Sequence, residues 1–179
     1  MIRVLASLFR PNPRREAVHA AYLRIVERAR DPVFYTEWGV PDTLDGRFEL
    51  LALHGFLVLN RLKQDHAATA AFAQDLFDTM FADLDRALRE MGVGDLGVGR
   101  RVKEMAAGFY GRIVAYDKGL AEPSLLRDAL RRNLYGTATP SEAQLTAAAA
   151  YLTRQVSALR TAAVPALLAG DIAFGPVME

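Results

Sequence analysis

An all-α bundle of five to seven helices, in one domain spanning residues 1–179, is the fold this sequence predicts. Three observations lead there. Apolar residues recur at helical spacing through nearly every long segment, no stretch alternates apolar and polar residues long enough to build a sheet, and most prolines and glycines punctuate the periodic segments. The composition agrees: 179 residues, 51% hydrophobic and 24% charged, suffice for one sizeable core. Helix stacked on helix is the layer architecture such a pattern builds.

The elements can be taken in chain order. In residues 1–13, Ile2, Val4, Leu5, Leu8 and Phe9 share one apolar face, with Arg3 and Arg10 beside it and Pro11 at its end. The run is too short and broken for a signal peptide, and no A-x-A site comes after it. It reads as a turn packed on the domain or frayed, or else as a peripheral foot on an anionic membrane surface. A first helix is expected from about residue 14 to 30, with Val18, Tyr22, Ile25, Val26 and Ala29 on one face and Asp31-Pro32 as its stop. Residues 33–46 read as a loop pinned by Phe34, Tyr35 and Trp38, with Thr43 or Asp45 as the N-cap of the next helix. The helix expected over 47–64 is apolar on nearly all sides, so it should be central and buried; Glu49, His54 and Asn60 inside it argue against a membrane span.

The stretch from Phe72 to Arg112 organises the rest. Its first half places Leu76, Phe77, Met80, Phe81, Leu84, Leu88 and Met91 in one apolar arc of roughly 140°. Asp78 and Asp85 sit together at that arc's edge. A glycine-rich break comes next, from Gly92 to Gly99, and a second helix to about residue 120 puts Val102, Met105, Ala106, Phe109, Tyr110, Ile113 and Tyr116 on one side. The pair predicts an αα-hairpin. A shorter helix opens at Pro123-Ser124 and ends at Gly136. A last one opens at Pro140-Ser141-Glu142 and reaches Pro165, and the tail 171–179 lies extended across the bundle.

Several chemical readings can be weighed against these elements. The chain has no cysteine, which removes disulfides and thiolate chemistry, and its net charge of +1 gives no global pull toward nucleic acid. Its three histidines, His19, His54 and His66, form no metal-spaced pair. Gly92 to Gly97 spells G-x-G-x-x-G, yet a helix rather than a strand precedes it, so a helix cap and tight turn explain it better than a dinucleotide loop. Asp75, Asp78, Asp83, Asp85 and Glu90 lack the Glu-x-x-His partners of a di-iron bundle, and pairing with Arg86 and Arg89 accounts for them. No nucleophile, base and oxyanion site can be assembled, so no catalytic residue, metal site or cofactor is expected. One helix face is unusual: Gly108 and Gly111 lie opposite the core side, with Arg100 and Lys118 on the same back and Arg101 and Arg112 flanking it. Each mid-helix glycine costs about 1 kcal/mol against alanine. A smooth back either receives a neighbouring helix of the same bundle or offers a partner helix close approach. Arg100, Arg101 and Lys103 at the helix start are either a solvated basic turn or a rim for an anionic or acidic partner.

Two long stretches, FYTEWGVPDTLDGRFELLALHGFLVLNRL (34–62) and FAQDLFDTMFADLDRALREMGVGDLGVGRRVKEMAAGFYGRIVAYDKGL (72–120), resemble the ubiquinol–cytochrome c chaperone family. This sequence carries Gly97 and Gly99 where that family's pattern leads one to expect a small polar residue and a proline. The resemblance implies a non-enzymatic chaperone that binds newly made cytochrome b for ubiquinol–cytochrome c reductase, complex III. It further implies a second small assembly factor as partner, proximity to the ribosome, and a peripheral position on the inner membrane, with no specific nucleic acid. The lack of a presequence suggests a bacterial member working on the cytoplasmic face. On this reading the 72–120 hairpin is the client surface. Asp78 and Asp85 would position basic loop residues of cytochrome b. Arg100, Arg101, Lys103 and Arg112 would rim the site, and Gly108 and Gly111 would permit close contact. Two alternatives stand beside it. One is a lipid or quinone carrier with an apolar cavity lined by Phe56, Phe72 and Phe109. The other is an RNA- or ribosome-contacting surface built on Arg100, Arg101, Lys103, Arg127, Arg131 and Arg132.

Overall fold

A computed structural model describes residues 12–178. The segment expected as a peripheral foot therefore lies, through residue 11, outside the described residues. Among those described are six long helices and two short ones, and no strand: α1 (Pro13–Ala29), α2 (Val33–Thr36), α3 (Leu44–Gln64), α4 (His66–Glu90), α5 (Asp95–Ala121), α6 (Pro123–Asn133), α7 (Glu142–Arg160) and α8 (Val164–Leu168).

Helix α3 is the axle, as its all-round apolar sequence requires. It packs against α1, α4, α5 and α7. Its start is set by the Thr43 hydroxyl, which accepts from the Gly46 N–H at 3.1 Å. Gly46 is obligatory there, because a β-carbon would stand 1.9 Å from the Pro41 carbonyl oxygen. Further along, Gly55 lets the Met80 sulfur of α4 and the Phe109 ring of α5 close onto the axle. His54 is fully buried. Its Nδ1 lies 2.7 Å from the Leu50 carbonyl, so it donates there, and its Nε2 accepts from the Tyr151 hydroxyl at 2.9 Å. Burial pushes its pKa down to about 3, so the ring is neutral and serves the core.

Helix α1 runs alongside α4 in the same direction. Arg14 in the first turn of α1 meets Asp75 of α4 at 2.6 Å, and the Tyr22 hydroxyl donates to Asp83 at 2.5 Å further along both helices. The loop before α3 contains the single turn α2, and Phe34, Trp38 and Val40 bury it as its aromatic residues suggest. The Trp38 ring stands edge-on to Phe34 at 5.0 Å.

Two boundaries differ from expectation. The glycine-rich break is shorter than its composition suggests: α5 already begins at Asp95, so Gly97 and Gly99 are helical rather than loop. Asp95 in the first turn suits the positive end of the helix, and that offsets the glycines. At the other end, the helix expected to reach Pro165 stops at Arg160, and Pro165 opens α8 instead. The tail is held as expected, with the Gly175 N–H donating to Gln155 at 2.8 Å and Ile172 and Val177 buried.

Candidate functional site

The α4–α5 hairpin is built around a four-residue turn. Gly92 takes φ +83°, and the N–H groups of Gly92 and Val93 return to the carbonyls of Arg89 and Leu88, closing the end of α4. Arg89 then bridges the turn. Its Nε reaches Asp85 at 2.6 Å, and its guanidinium also holds Asp95 at the start of α5. The hairpin's inner side is aromatic, with Phe77, Phe81 and Phe109 within 6.0 Å of one another by ring centroids.

The outer side differs from the wheel drawn on sequence. Tyr110, expected in the core, is 57% exposed, and its ring lies 5.5 Å from Phe77. Val114, one turn on, is 54% exposed. Met91 is likewise exposed, because it stands past the end of α4. Leu96, on the first turn of α5, is 95% exposed.

The charges expected to rim this hairpin fall into two groups. By helical spacing, Lys103 shares the Tyr110 flank of α5 while Arg101, Gly108 and Arg112 share the opposite one. Arg112 is not a free rim cation. It makes a bidentate pair with Glu49 of α3, and its guanidinium lies 5.3 Å from the centre of the Phe48 ring. Both partners are largely covered, 19% and 9% exposed by side chain. Burial pushes the Glu49 carboxyl upward and the guanidinium draws it back. Gly108 belongs to the same arrangement: a β-carbon there would stand 2.8 Å from an Arg112 nitrogen. The space at Gly108 is thus taken by the neighbouring arginine. Gly111 is different, with nothing within 4 Å of where its β-carbon would be.

Elsewhere Asp78 accepts from the Gln74 amide at 2.8 Å, Asp85 is taken by Arg89, and Arg100 stands 3.9 Å from Glu104. Arg101 and Lys103 are exposed with no ion pair among the described residues. Sequence reasoning missed Glu49 and the exposed Tyr110. The signal for Glu49 was present, since a carboxylate inside an otherwise apolar buried helix demands a cation.

A second feature was not foreseen. Where α1 and α4 end and α3 begins, an open cleft of about 760 Å³ is floored by Val26, Phe48, Leu51 and Leu84 and walled by Tyr22, Tyr35 and Met91. The cavity expected around Phe56, Phe72 and Phe109 is not what those rings make. All are buried, with Phe56 packed on Tyr116 at 5.3 Å and Phe109 closed against Gly55. Of the arginines that suggested RNA, Arg127 and Arg131 are both bound to Glu142, and Arg131 also to Asp128. No group of three or more potential metal ligands gathers among the described residues.

The described residues form a helical scaffold with one exposed aromatic side chain, Tyr110, on its hairpin and an open apolar cleft at one end. The chain belongs to the ubiquinol-cytochrome C chaperone family, whose pattern matches residues 36–174. That family consists of assembly factors for complex III and is not one of enzymes. Curated relatives carry the name ubiquinol-cytochrome c reductase complex assembly factor 1. The Xenopus laevis protein is 28% identical over 160 residues, covering 88% of this chain and 80% of that one. The human protein is 26% identical over the same length, and the match spans 54% of it. Among solved structures, the crystal structure of the Cbp3 homolog from Brucella abortus superposes with a TM-score of 0.83 at 38% identity, covering 99% of this chain and 98% of that one. No helix among the described residues is long and apolar enough to cross a membrane.

Proposed function

We propose that this chain holds newly made cytochrome b during assembly of ubiquinol–cytochrome c reductase, and that it does so on the outer face of the α4–α5 hairpin. The observation that carries the site is the uncovered pair Tyr110 and Val114, with the Tyr110 ring seated on Phe77 and the bare backbone of Gly111 beside it. A rigid aromatic supported from beneath is the kind of anchor that dominates protein interfaces, and covering such a side chain contributes about 1.5–3 kcal/mol. Lys103, on the Tyr110 flank and without an ion pair among the described residues, and Asp78 on the α4 edge supply charge for orienting the client rather than most of the affinity, while Arg101 lies on the opposite flank. The work is done peripherally at the membrane where cytochrome b is inserted, on its cytoplasmic face.

The test is recovery of co-produced, tagged cytochrome b with purified Tyr110→Glu and Gly111→Leu variants. Each should reduce recovery about tenfold, Tyr110→Glu unfolding near the wild-type temperature and Gly111→Leu at or above it. Wild-type recovery by a folded double variant sinks the assignment of this face.

A further inference from the structure

We infer that the cleft at the shared end of α1, α3 and α4 is a second docking site, and that its occupant is an apolar helical segment of a polypeptide flanked by one acidic and one basic residue. The inference rests on the client-holding function proposed for the outer face and adds a place and a chemistry to it.

The cleft's size lies within the range of roughly 300–1,000 Å³ in which pockets bury a compact apolar group. Its walls are fixed before anything binds. The Tyr22 hydroxyl is held by Asp83, and the Tyr35 hydroxyl donates to the Ala29 carbonyl at 3.2 Å. Met91 at the mouth is the adaptable element, an unbranched thioether side chain that conforms to varied apolar surfaces.

Charge on the rim selects the occupant. Arg47 is paired with Asp42 at 2.7 Å, and Asp83 is shared by Tyr22 and Arg86. Two rim groups remain without an ion pair among the described residues: Arg30 at the end of α1 and Glu90 at the end of α4. They have opposite sign. An anionic lipid would answer Arg30 but bring its headgroup toward Glu90, Asp42 and Asp83. An uncharged lipid or quinone would answer neither. A polypeptide segment carrying a carboxylate and a cation answers both while its aliphatic side chains fill the floor, in the manner of a helix laid into a groove. Glu90 and Met91 also end α4, the helix whose Phe77 supports Tyr110 of the outer face, so one client can reach both sites.

The experiment uses the full chain co-produced with tagged cytochrome b. A photoreactive benzoyl-phenylalanine replaces Met91, at the exposed mouth of the cleft, or Tyr110, on the outer face. The position-91 probe should attach to a cytochrome b segment that is apolar and charge-flanked. Ala87→Phe, which fills the cleft, should reduce cytochrome b recovery about tenfold. Glu90→Arg, an exposed change that leaves the fold intact, should lower it about threefold to tenfold and decides the matter if Ala87→Phe does not fold. If position 110 captures cytochrome b while position 91 does not, or if both folded variants recover it fully, this inference falls and the proposed function stands. If the wild-type chain recovers no cytochrome b at all, the proposed function falls and this goes with it. If the position-91 probe attaches only to phospholipid, the site is a lipid site and the polypeptide assignment is overturned.

Discussion

Helices α3 and α5 are neighbours of similar length, and they do opposite work. Two-thirds of the 21 residues of α3 are buried, including a histidine, a glutamate and an arginine. Of the 27 residues of α5, only Val98, Phe109, Tyr116 and Gly119 are. Long helices in globular proteins draw their stability from the face they bury. Helix α5 instead rests on the core through half-buried residues such as Val102, Met105 and Ile113, which leaves its other side uncovered. A strong polar tie joins the two at Glu49–Arg112, which lets the N-terminal part of α3 hold the C-terminal half of α5 without covering its outer side.

This contrast can be broken at four points, in falling order of size. Phe56→Ala in α3 removes a ring that is 1% exposed and should lower unfolding free energy by about 3–5 kcal/mol in urea titration. A loss below about 1 kcal/mol would mean that α3 is not the axle. Arg112→Leu leaves Glu49 buried without a counter-charge and should be destabilising by about 3 kcal/mol, while the joint Glu49→Leu, Arg112→Leu variant should regain most of it. Equal loss in single and double variants would show that the pair contributes through packing alone. Third comes pH. The folded-state pKa of His54 is depressed to about 3 from 6.5, so its contribution is complete above pH 6.5. It is lost as pH falls from there toward 3, because the unfolded chain takes up the proton first. The slope is about 1.4 kcal/mol per pH unit, so the urea midpoint at pH 5 should lie below that at pH 7 by the equivalent of about 2 kcal/mol. The smallest effect is the most discriminating. Gly111→Ala should stabilise the protein by about 1 kcal/mol, since the site is helical and open. Gly108→Ala should gain less, because the new methyl must displace the tip of Arg112. A larger gain at position 108 than at 111 would refute the account of that glycine.

How much of this was visible in the residues differs between the two helices. The axle was legible: an apolar run with no polar face has nowhere to go but inside, and Thr43 marked its start. Tyr110 and Met91 were misread because an angular wheel ranks positions by direction and knows nothing of where neighbouring helices stop. The glycine run from 92 to 99 suggested a loop because each glycine disfavours a helix, yet the turn closed at Gly92 and the first-turn carboxylate of Asp95 outweighed two of them. Gly108 could not be understood from spacing. Its role depends on an arginine four residues later folding back to reach Glu49, a partner 63 positions away in the chain. The cleft was invisible for the same reason, being made by three helix ends that only the tertiary fold brings together.

The shared direction of α1 and α4 carries a lesson about biosynthesis. Tyr22 finds its carboxylate 61 residues downstream, so α1 gains cover from α3 but waits for the rest until most of α4 has emerged. A polypeptide halted after α3 should display the α4-facing part of the α1 stripe to proteases and to other chains, and release of α4 should seal it in a single step.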